Sequence, residues 1–156
     1  MEHARDQNHS GGNKKLNINS STGKQYVIDT YAWVEYLLGS SKGAIAKEYV
    51  EGGNAFTPSI VLVELRKWYL KEIEAGRRRD QEMQKHFAFL ESRTQVLALD
   101  YSLALKAGET DFTMKKRKKN WPIADSIVLA SARSHSAYVV SGDPHFKNVE
   151  DVIFIG

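Results

Sequence analysis

Apolar residues along this chain alternate between short runs and longer, mixed stretches. Runs such as Tyr26-Val27-Ile28 are typical of buried strands, whereas the longer alanine- and leucine-containing stretches are typical of helices. Strands are predicted at 26–28, 55–56, 95–99, 137–141 and 152–155. Helices are predicted at 31–38, 42–51, 58–75, 80–92, 100–116 and 122–136. This alternation predicts an α/β fold with three layers, in which helices cover both faces of a parallel sheet.

The first 24 residues have a different composition from the rest. They are polar, rich in Asn, Ser and Gly, and contain only Leu16 and Ile18 as sizeable aliphatic residues. We therefore expect a flexible polar tail over 1–24 and one domain over 25–156. The tail lacks the apolar core of a signal peptide, and the chain has no cysteine and no run of about 20 apolar residues. A cytoplasmic protein is expected.

Two aspartates lie where predicted strands end. Asp29 follows the first strand, and Asp143 lies just past the fourth. Ligands of a parallel sheet bind outside the carboxyl ends of its strands, so both side chains should lie at one edge. Taken singly, each also fits a turn or a helix cap, where Asp is common.

Glu64 belongs to the predicted helix that Thr57 should cap and that Pro58 should begin. Helical spacing puts this carboxylate on the same face as Ile60 and Leu65. A buried carboxylate there needs a metal ion or an arginine as partner, whereas a carboxylate at the rim of the apolar face needs none.

Asp125 falls in the first turn of a helix that begins near Pro122. The helix dipole favours a negative charge at this position, which is by itself a sufficient structural reason for an aspartate. The rest of that helix, Ile127–Ala132, is apolar or small and therefore largely buried. We expect its amino-terminal carboxylate to face a pocket or the sheet edge.

Four such carboxylates, without cysteine or a convincing histidine pair, suit an oxygen-binding ion such as Mg²⁺ or Mn²⁺. A zinc site is disfavoured. His86, His135 and His145 are scattered along the chain and are interpreted as surface residues rather than ligands.

Four motifs in this order resemble the PIN-domain nucleases, and in particular the VapC-type toxin ribonucleases, over about residues 25–156. They are V-I-D-T at 27–30, P-S-I-V-L-V-E-L at 58–65, I-A-D-S-I-V-L-A-S-A at 123–132 and S-G-D-P-H-F at 141–146. The resemblance implies a five-stranded parallel sheet of order 3-2-1-4-5. It also implies hydrolysis of RNA phosphodiester bonds and, for toxin members, inhibition by a small antitoxin.

Carried over by position, the resemblance assigns catalytic and metal-binding roles to four acids and supporting roles to two hydroxyls. The acids are Asp29, Glu64, Asp125 and Asp143, and the hydroxyls are those of Thr30 and Ser141. Asp29 and Asp125 are the expected direct ligands. Glu64 and Asp143 would hold a second ion or orient the attacking water.

Other functions remain open at this point. A haloacid-dehalogenase-like phosphatase also uses an Asp after a strand, but it expects a second Asp where this chain has Tyr31. A non-catalytic RNA-binding or scaffold PIN module would not need all four acids. A flap-type DNA nuclease would generally need a larger domain and more acids.

A run of five basic residues precedes the helix that carries Asp125. Such a run is often a solvated loop, and the 18 basic and 17 acidic residues of 25–156 do not by themselves indicate a nucleic-acid partner. The carboxylates, however, repel a phosphate backbone, so nearby positive charge is required. RNA binding is therefore predicted for Lys115, Lys116, Arg117, Lys118 and Lys119.

Several aromatic residues exceed what a core of this size requires at their positions. They are Trp33, Tyr36, Trp68 and Tyr69. They predict an exposed patch for a homodimer or an antitoxin helix, although core or scattered surface positions are the alternative.

Overall fold

The computed structural model describes residues 23–156, so the predicted tail lies almost entirely outside the described residues. The strands are β1 Tyr26–Ile28, β2 Ala55–Pro58, β3 Gln95–Leu97, β4 Tyr138–Ser141 and β5 Val152–Phe154. The helices are α1 Thr30–Leu38, α2 Ser41–Glu51, α3 Ser59–Glu74, α4 Asp80–Arg93, α5 Tyr101–Arg117 and α6 Ile123–Ser134. A one-turn 3₁₀ helix, Pro144–Phe146, follows β4.

All five strands are parallel and lie in the order β3-β2-β1-β4-β5, which confirms the predicted α/β sheet. The short first strand is therefore central, with β2 on one side and β4 on the other. Ile28 pairs with Val140, so the next residue of each strand lies at the same carboxyl edge. This register brings Asp29 close to Ser141.

The core forms where helices pack on the sheet. Val27, Ile28, Val139 and Val140 are completely buried, as expected for a central pair of parallel strands. Helix α6 is buried along 125–132, which explains its small side chains. A membrane-spanning length of apolar helix does not occur among residues 23–156.

The predicted amino-terminal cap of α3 is wrong. Thr57 belongs to β2, where its buried hydroxyl accepts a hydrogen bond from Trp33 Nε1 (3.2 Å) and pairs with Thr94 Oγ1 (2.8 Å). Because its side chain points into this buried network, it is not free to bind the backbone of α3. Pro58 takes the cap position without a side-chain hydrogen bond.

The predicted aromatic patch is also wrong for two of its members. Trp33 and Tyr69 are fully buried, and Tyr36 and Trp68 are partly buried against the core. Exposed apolar side chains occur on several elements, and three of them, Tyr101, Leu105 and Phe112, follow helical spacing on α5 and are 82%, 55% and 66% exposed.

Candidate metal centre

The four predicted acids line one cavity of about 380 Å³ at the carboxyl edge of the sheet. Its lining consists of Asp29, Thr30, Tyr31, Val34, Glu35, Glu64, Asp125 and Asp143. The acids come from four separate segments of the chain: the ends of β1 and β4 and the early turns of α3 and α6. The fold therefore concentrates negative charge in one place.

Asp29 ends β1 and precedes α1, where the positive end of the helix dipole favours its charge. Its carboxylate is buried, and Oδ2 accepts a hydrogen bond of 2.6 Å from the hydroxyl of Ser141. The same hydroxyl accepts a hydrogen bond of 3.1 Å from the backbone N–H of Asp143. Ser141 thus connects two of the acids.

Glu64 lies in the second turn of α3 and is partly buried. Its Oε1 accepts a hydrogen bond of 2.8 Å from the hydroxyl of Thr30. Within residues 23–156, no arginine or lysine forms an ion pair with this carboxylate. The arginine that was one of the two expected partners of a buried Glu64 is therefore not found there, and the neutral hydroxyl of Thr30 leaves the negative charge in place.

Asp125 lies in the first turn of α6 and is 8% exposed. Its Oδ2 is buried and has no hydrogen-bond partner among the described residues. His145 places Nδ1 at 3.4 Å from this oxygen and at 2.8 Å from Asp143 Oδ1, but neither contact has hydrogen-bond geometry. His145, interpreted from the sequence as a surface residue rather than a ligand, is partly exposed but contacts two of the acids.

The electrostatics of the cavity are unbalanced. Burial, followed by repulsion from Asp29, Asp143 and Glu64, raises the pKa of Asp125 to about 8. Burial also raises the pKa of Asp29 to about 6, although its hydrogen bonds with Ser141 and the Thr30 backbone oppose the shift. Crowded carboxylates without a cation favour protonation. The cavity has the donors and the excess negative charge that a divalent cation would balance.

One subset of these residues has the closest metal-binding geometry. Ligand atoms of Asp125, Asp143 and His145 all lie within 4.8 Å of one another. Asp125, whose Oδ2 has no hydrogen-bond partner among the described residues, belongs to this subset. Carboxylates outnumber the single imidazole around the cavity, so the donor set fits Mg²⁺ or Mn²⁺ better than zinc.

Comparison with known proteins identifies the family. The PIN domain family model matches residues 26–152. This chain belongs to the PIN domain family. No curated protein matches its sequence significantly.

Solved structures share the fold of this PIN domain at low sequence identity. VapBC2 from Rickettsia felis, bound to a promoter DNA fragment, has a TM-score of 0.64 at 19% identity, covering 83% of this chain and 96% of the other. PAE2754 from Pyrobaculum aerophilum has a TM-score of 0.64 at 16% identity, covering 85% and 91%. VapC20 from Mycobacterium tuberculosis, a sarcin-ricin loop cleaving toxin, has a TM-score of 0.59 at 19% identity, covering 78% and 92%.

The cavity of this PIN domain also contains side chains that the motifs did not indicate. Glu35 is a fifth carboxylate in its lining, one helical turn after Tyr31. Residues four apart lie on the same face of a helix, so the spacing of Tyr31 and Glu35 was the sequence signal that the two side chains lie side by side. Tyr31 accepts a hydrogen bond of 3.0 Å from Lys42 Nζ, which brings a positive charge to the cavity rim.

Gly142 has a steric role beside the same tyrosine. A Cβ at this position would overlap the ring of Tyr31. The glycine of the S-G-D motif therefore allows the ring to pack directly against the backbone that leads to Asp143.

Most side chains of the basic run are held by contacts that a solvated loop would not make. Lys115, Lys116 and Arg117 form the last turn of α5. Lys115 Nζ pairs with Asp111 at 2.7 Å, and Lys116 Nζ lies 3.8 Å from the ring centre of Phe112. Lys118 contacts the backbone of the loop that follows Asp143, so this one lysine of the run reaches the segment that carries Asp143 and His145.

Proposed function

We propose that this PIN domain is a metal-dependent endoribonuclease that uses Asp29, Glu64, Asp125 and Asp143. The observation that carries the proposal is the buried, unpartnered oxygen of Asp125 in a cavity lined by the other three acids. Membership of the PIN family supports nuclease chemistry.

Phosphodiester hydrolysis needs a nucleophilic water and stabilisation of charge on the phosphoryl group, and bound Mg²⁺ or Mn²⁺ supplies both. In the proposed site Asp29 and Asp125 are direct ligands. Glu64 and Asp143 orient the attacking water or hold a second ion. Ser141 and Thr30 donate hydrogen bonds that fix the carboxylates of Asp29 and Glu64.

His145 has a distinct part in this scheme. Its Nδ1 faces carboxylate oxygens of both Asp125 and Asp143. The imidazole can therefore serve as an additional ligand beside the two aspartates.

The function is tested by incubating the purified chain with total RNA in Mg²⁺, Mn²⁺ or EDTA and mapping new RNA ends. Cleavage is expected with either metal and not with EDTA. A preparation of Asp125→Asn made in parallel controls for contaminating ribonucleases. Equal cleavage by the variant, or in EDTA, contradicts the proposal.

We further propose that this enzyme is the toxin of a toxin–antitoxin pair that acts in the cytoplasm. The support is its structural likeness to the Rickettsia VapBC2 complex and to VapC20. Coexpression with the product of a small neighbouring gene should suppress toxicity and yield a stable complex. A gene with no small neighbour would count against the antitoxin.

A homodimer is the second proposed assembly. The exposed apolar residues of α5, Tyr101, Leu105 and Phe112, offer a surface that a second copy would cover. Light scattering should then give twice the chain mass at high concentration. A monomeric mass contradicts this assembly without affecting the catalytic proposal.

A further inference from the structure

We propose that Lys118 is a positioning residue for Asp143 and His145 rather than a phosphate contact. It follows the last residue of α5 and is only partly exposed. Its Nζ donates hydrogen bonds to the backbone carbonyls of His145 (2.8 Å) and Lys147 (2.5 Å). Its effect on metal binding rests on the proposed metal-dependent function.

These two carbonyls lie at the end of the 3₁₀ helix that follows Asp143. No backbone N–H within 23–156 binds either of them. A lysine near a helix end commonly satisfies such carbonyls, and its positive charge strengthens each hydrogen bond. Lys118 therefore restrains the backbone of His145 and, through it, the position of the imidazole.

The same connection between α5 and α6 also contacts the Asp125 side of the cavity. The ring of Trp121 packs edge-on against the buried ring of Phe146, with centres 5.4 Å apart. Its Nε1 donates a hydrogen bond of 2.7 Å to the hydroxyl of Ser126, the residue after Asp125. Residues 118–121 thus link the segment of Asp143 and His145 to the helix of Asp125.

Loss of the Lys118 ammonium should loosen one side of this link and leave the other intact. Asp143 and His145 would then vary in position relative to Asp125, with which they form the closest candidate ligand group. Residues that orient metal ligands typically change metal affinity by about 10- to 100-fold when replaced. A phosphate contact would instead change RNA affinity and its salt dependence.

The experiment compares Lys118→Met, which keeps the aliphatic stem, with Lys118→Arg and Lys119→Met in the full chain. Lys119 is the matched control because it is the exposed neighbour in the same run. Calorimetry with Mn²⁺ should show affinity lowered at least about 10-fold in Lys118→Met, largely restored in Lys118→Arg and unchanged in Lys119→Met. The salt slope of RNA binding should fall in Lys119→Met and stay unchanged in Lys118→Met.

Wild-type Mn²⁺ affinity in Lys118→Met, or equal losses in both methionine variants, would overturn the positioning role. Hydrogen exchange of the amides of 145–149 provides a readout that needs no metal. Faster exchange there in Lys118→Met, with the melting transition and the rest of the sheet retained, supports the inference. Unchanged exchange overturns it. A wild-type chain that binds no Mn²⁺ contradicts the proposed function, and hydrogen exchange still decides the role of Lys118.

Discussion

The two halves of the carboxylate cluster differ in how the protein supports them. In one half, Asp29 and Glu64 each accept a hydrogen bond from a hydroxyl, of Ser141 and Thr30 respectively. In the other half, Asp125 keeps a buried oxygen without a hydrogen-bond partner among the described residues. The hydroxyl-supported half is oriented by the protein itself. Asp143 Oδ1 accepts a hydrogen bond of 2.8 Å from the backbone N–H of His145. Asp125 is therefore the acid with lone pairs left for a cation, and its replacement should separate function from stability most clearly.

Asp125→Asn should reduce activity most, with Asp29→Asn as its counterpart in the supported half. Cleavage should fall more than about 100-fold in both, beyond the usual effect of residues that only orient ligands. Metal-free Asp125→Asn should also be more stable, on the order of 1 kcal/mol at pH 8, because the repulsion is relieved. Chemical denaturation and RNA cleavage measure the two effects.

Asp100→Asn is the matched control for these variants. Asp100 caps α5 by accepting a hydrogen bond from the Leu103 N–H, and asparagine also caps well. Its cleavage should equal that of the wild type. Near-normal cleavage by both site variants would contradict the catalytic assignment.

The hydroxyls provide the next largest effect. Ser141→Ala should lower metal affinity and cleavage about 10- to 100-fold, because Asp29 and the Asp143 N–H both lose a buried partner. Thr30→Val should lower them less than about 10-fold, since water can reach the partly exposed Glu64. Mn²⁺ titration measures both losses.

Ser131→Ala controls for the loss of a buried serine hydroxyl. Its Oγ binds the carbonyl of Ile127 within α6 and does not line the cavity. Its metal affinity should stay normal even if stability falls by about 1 kcal/mol. Equal losses of metal affinity in Ser131→Ala and Ser141→Ala would contradict a specific role of the Ser141 hydroxyl in metal binding.

Much of this architecture follows from local pattern. The apolar runs and the α6 sequence predicted the strands and a buried helix because burial on both faces requires nearly continuous apolar residues. The edge location of Asp29 and Asp143 followed from the parallel order of strands. The stripe that includes Ile60 and Leu65 packs in the core, and Glu64 on the same face is partly buried.

Other features depend on tertiary contacts that local pattern does not encode. Threonine is a common helix-capping residue, but the hydrogen bonds of Thr57 with Trp33 and Thr94 hold it in a strand. His145 reaches two acids only because Asp143 begins a tight 3₁₀ turn. Lys118 is indistinguishable from its basic neighbours until the loop that it contacts is known.

Proton binding should affect the two halves of the carboxylate cluster over different pH ranges. The raised pKa values of Asp29, about 6, and Asp125, about 8, mean that protons compete with the metal below those values. Mn²⁺ affinity should therefore rise between pH 6 and 8, by up to about tenfold per unit for each proton released. Calorimetry in buffers of different ionisation enthalpy counts these protons.

The sign is opposite for the stability of the metal-free protein. Both folded-state pKa values exceed the ordinary value of 3.8, so stability should decline as pH rises through about 6 and 8. Asp125→Asn should remove the decline near pH 8 and keep the decline near pH 6. Thermal melts across this range test it, and a flat profile would contradict the unbalanced charge of the cavity.

Substitutions in the basic run should each have a weaker effect than those in the carboxylate cluster. Replacing Lys115, Lys116 and Lys119 with Gln in metal-free protein should lower RNA affinity about fourfold per lost phosphate contact near physiological salt. The salt slope should fall by about 0.7 per contact for single-stranded RNA. Lys67→Gln and Lys71→Gln, exposed on α3, serve as controls. An unchanged slope would leave the run as solvated surface.

The central position of β1 has a consequence for the timing of synthesis. Strand β1 pairs with β4, which the ribosome makes more than a hundred residues later. The Asp29–Ser141 hydrogen bond likewise spans 112 positions. A partly made chain has Asp29 and Glu64 but neither the Ser141 hydroxyl nor Asp143. Such long-range pairing completes late in folding. The candidate metal centre can therefore assemble only after the segment that carries Ser141 and Asp143 has been synthesised.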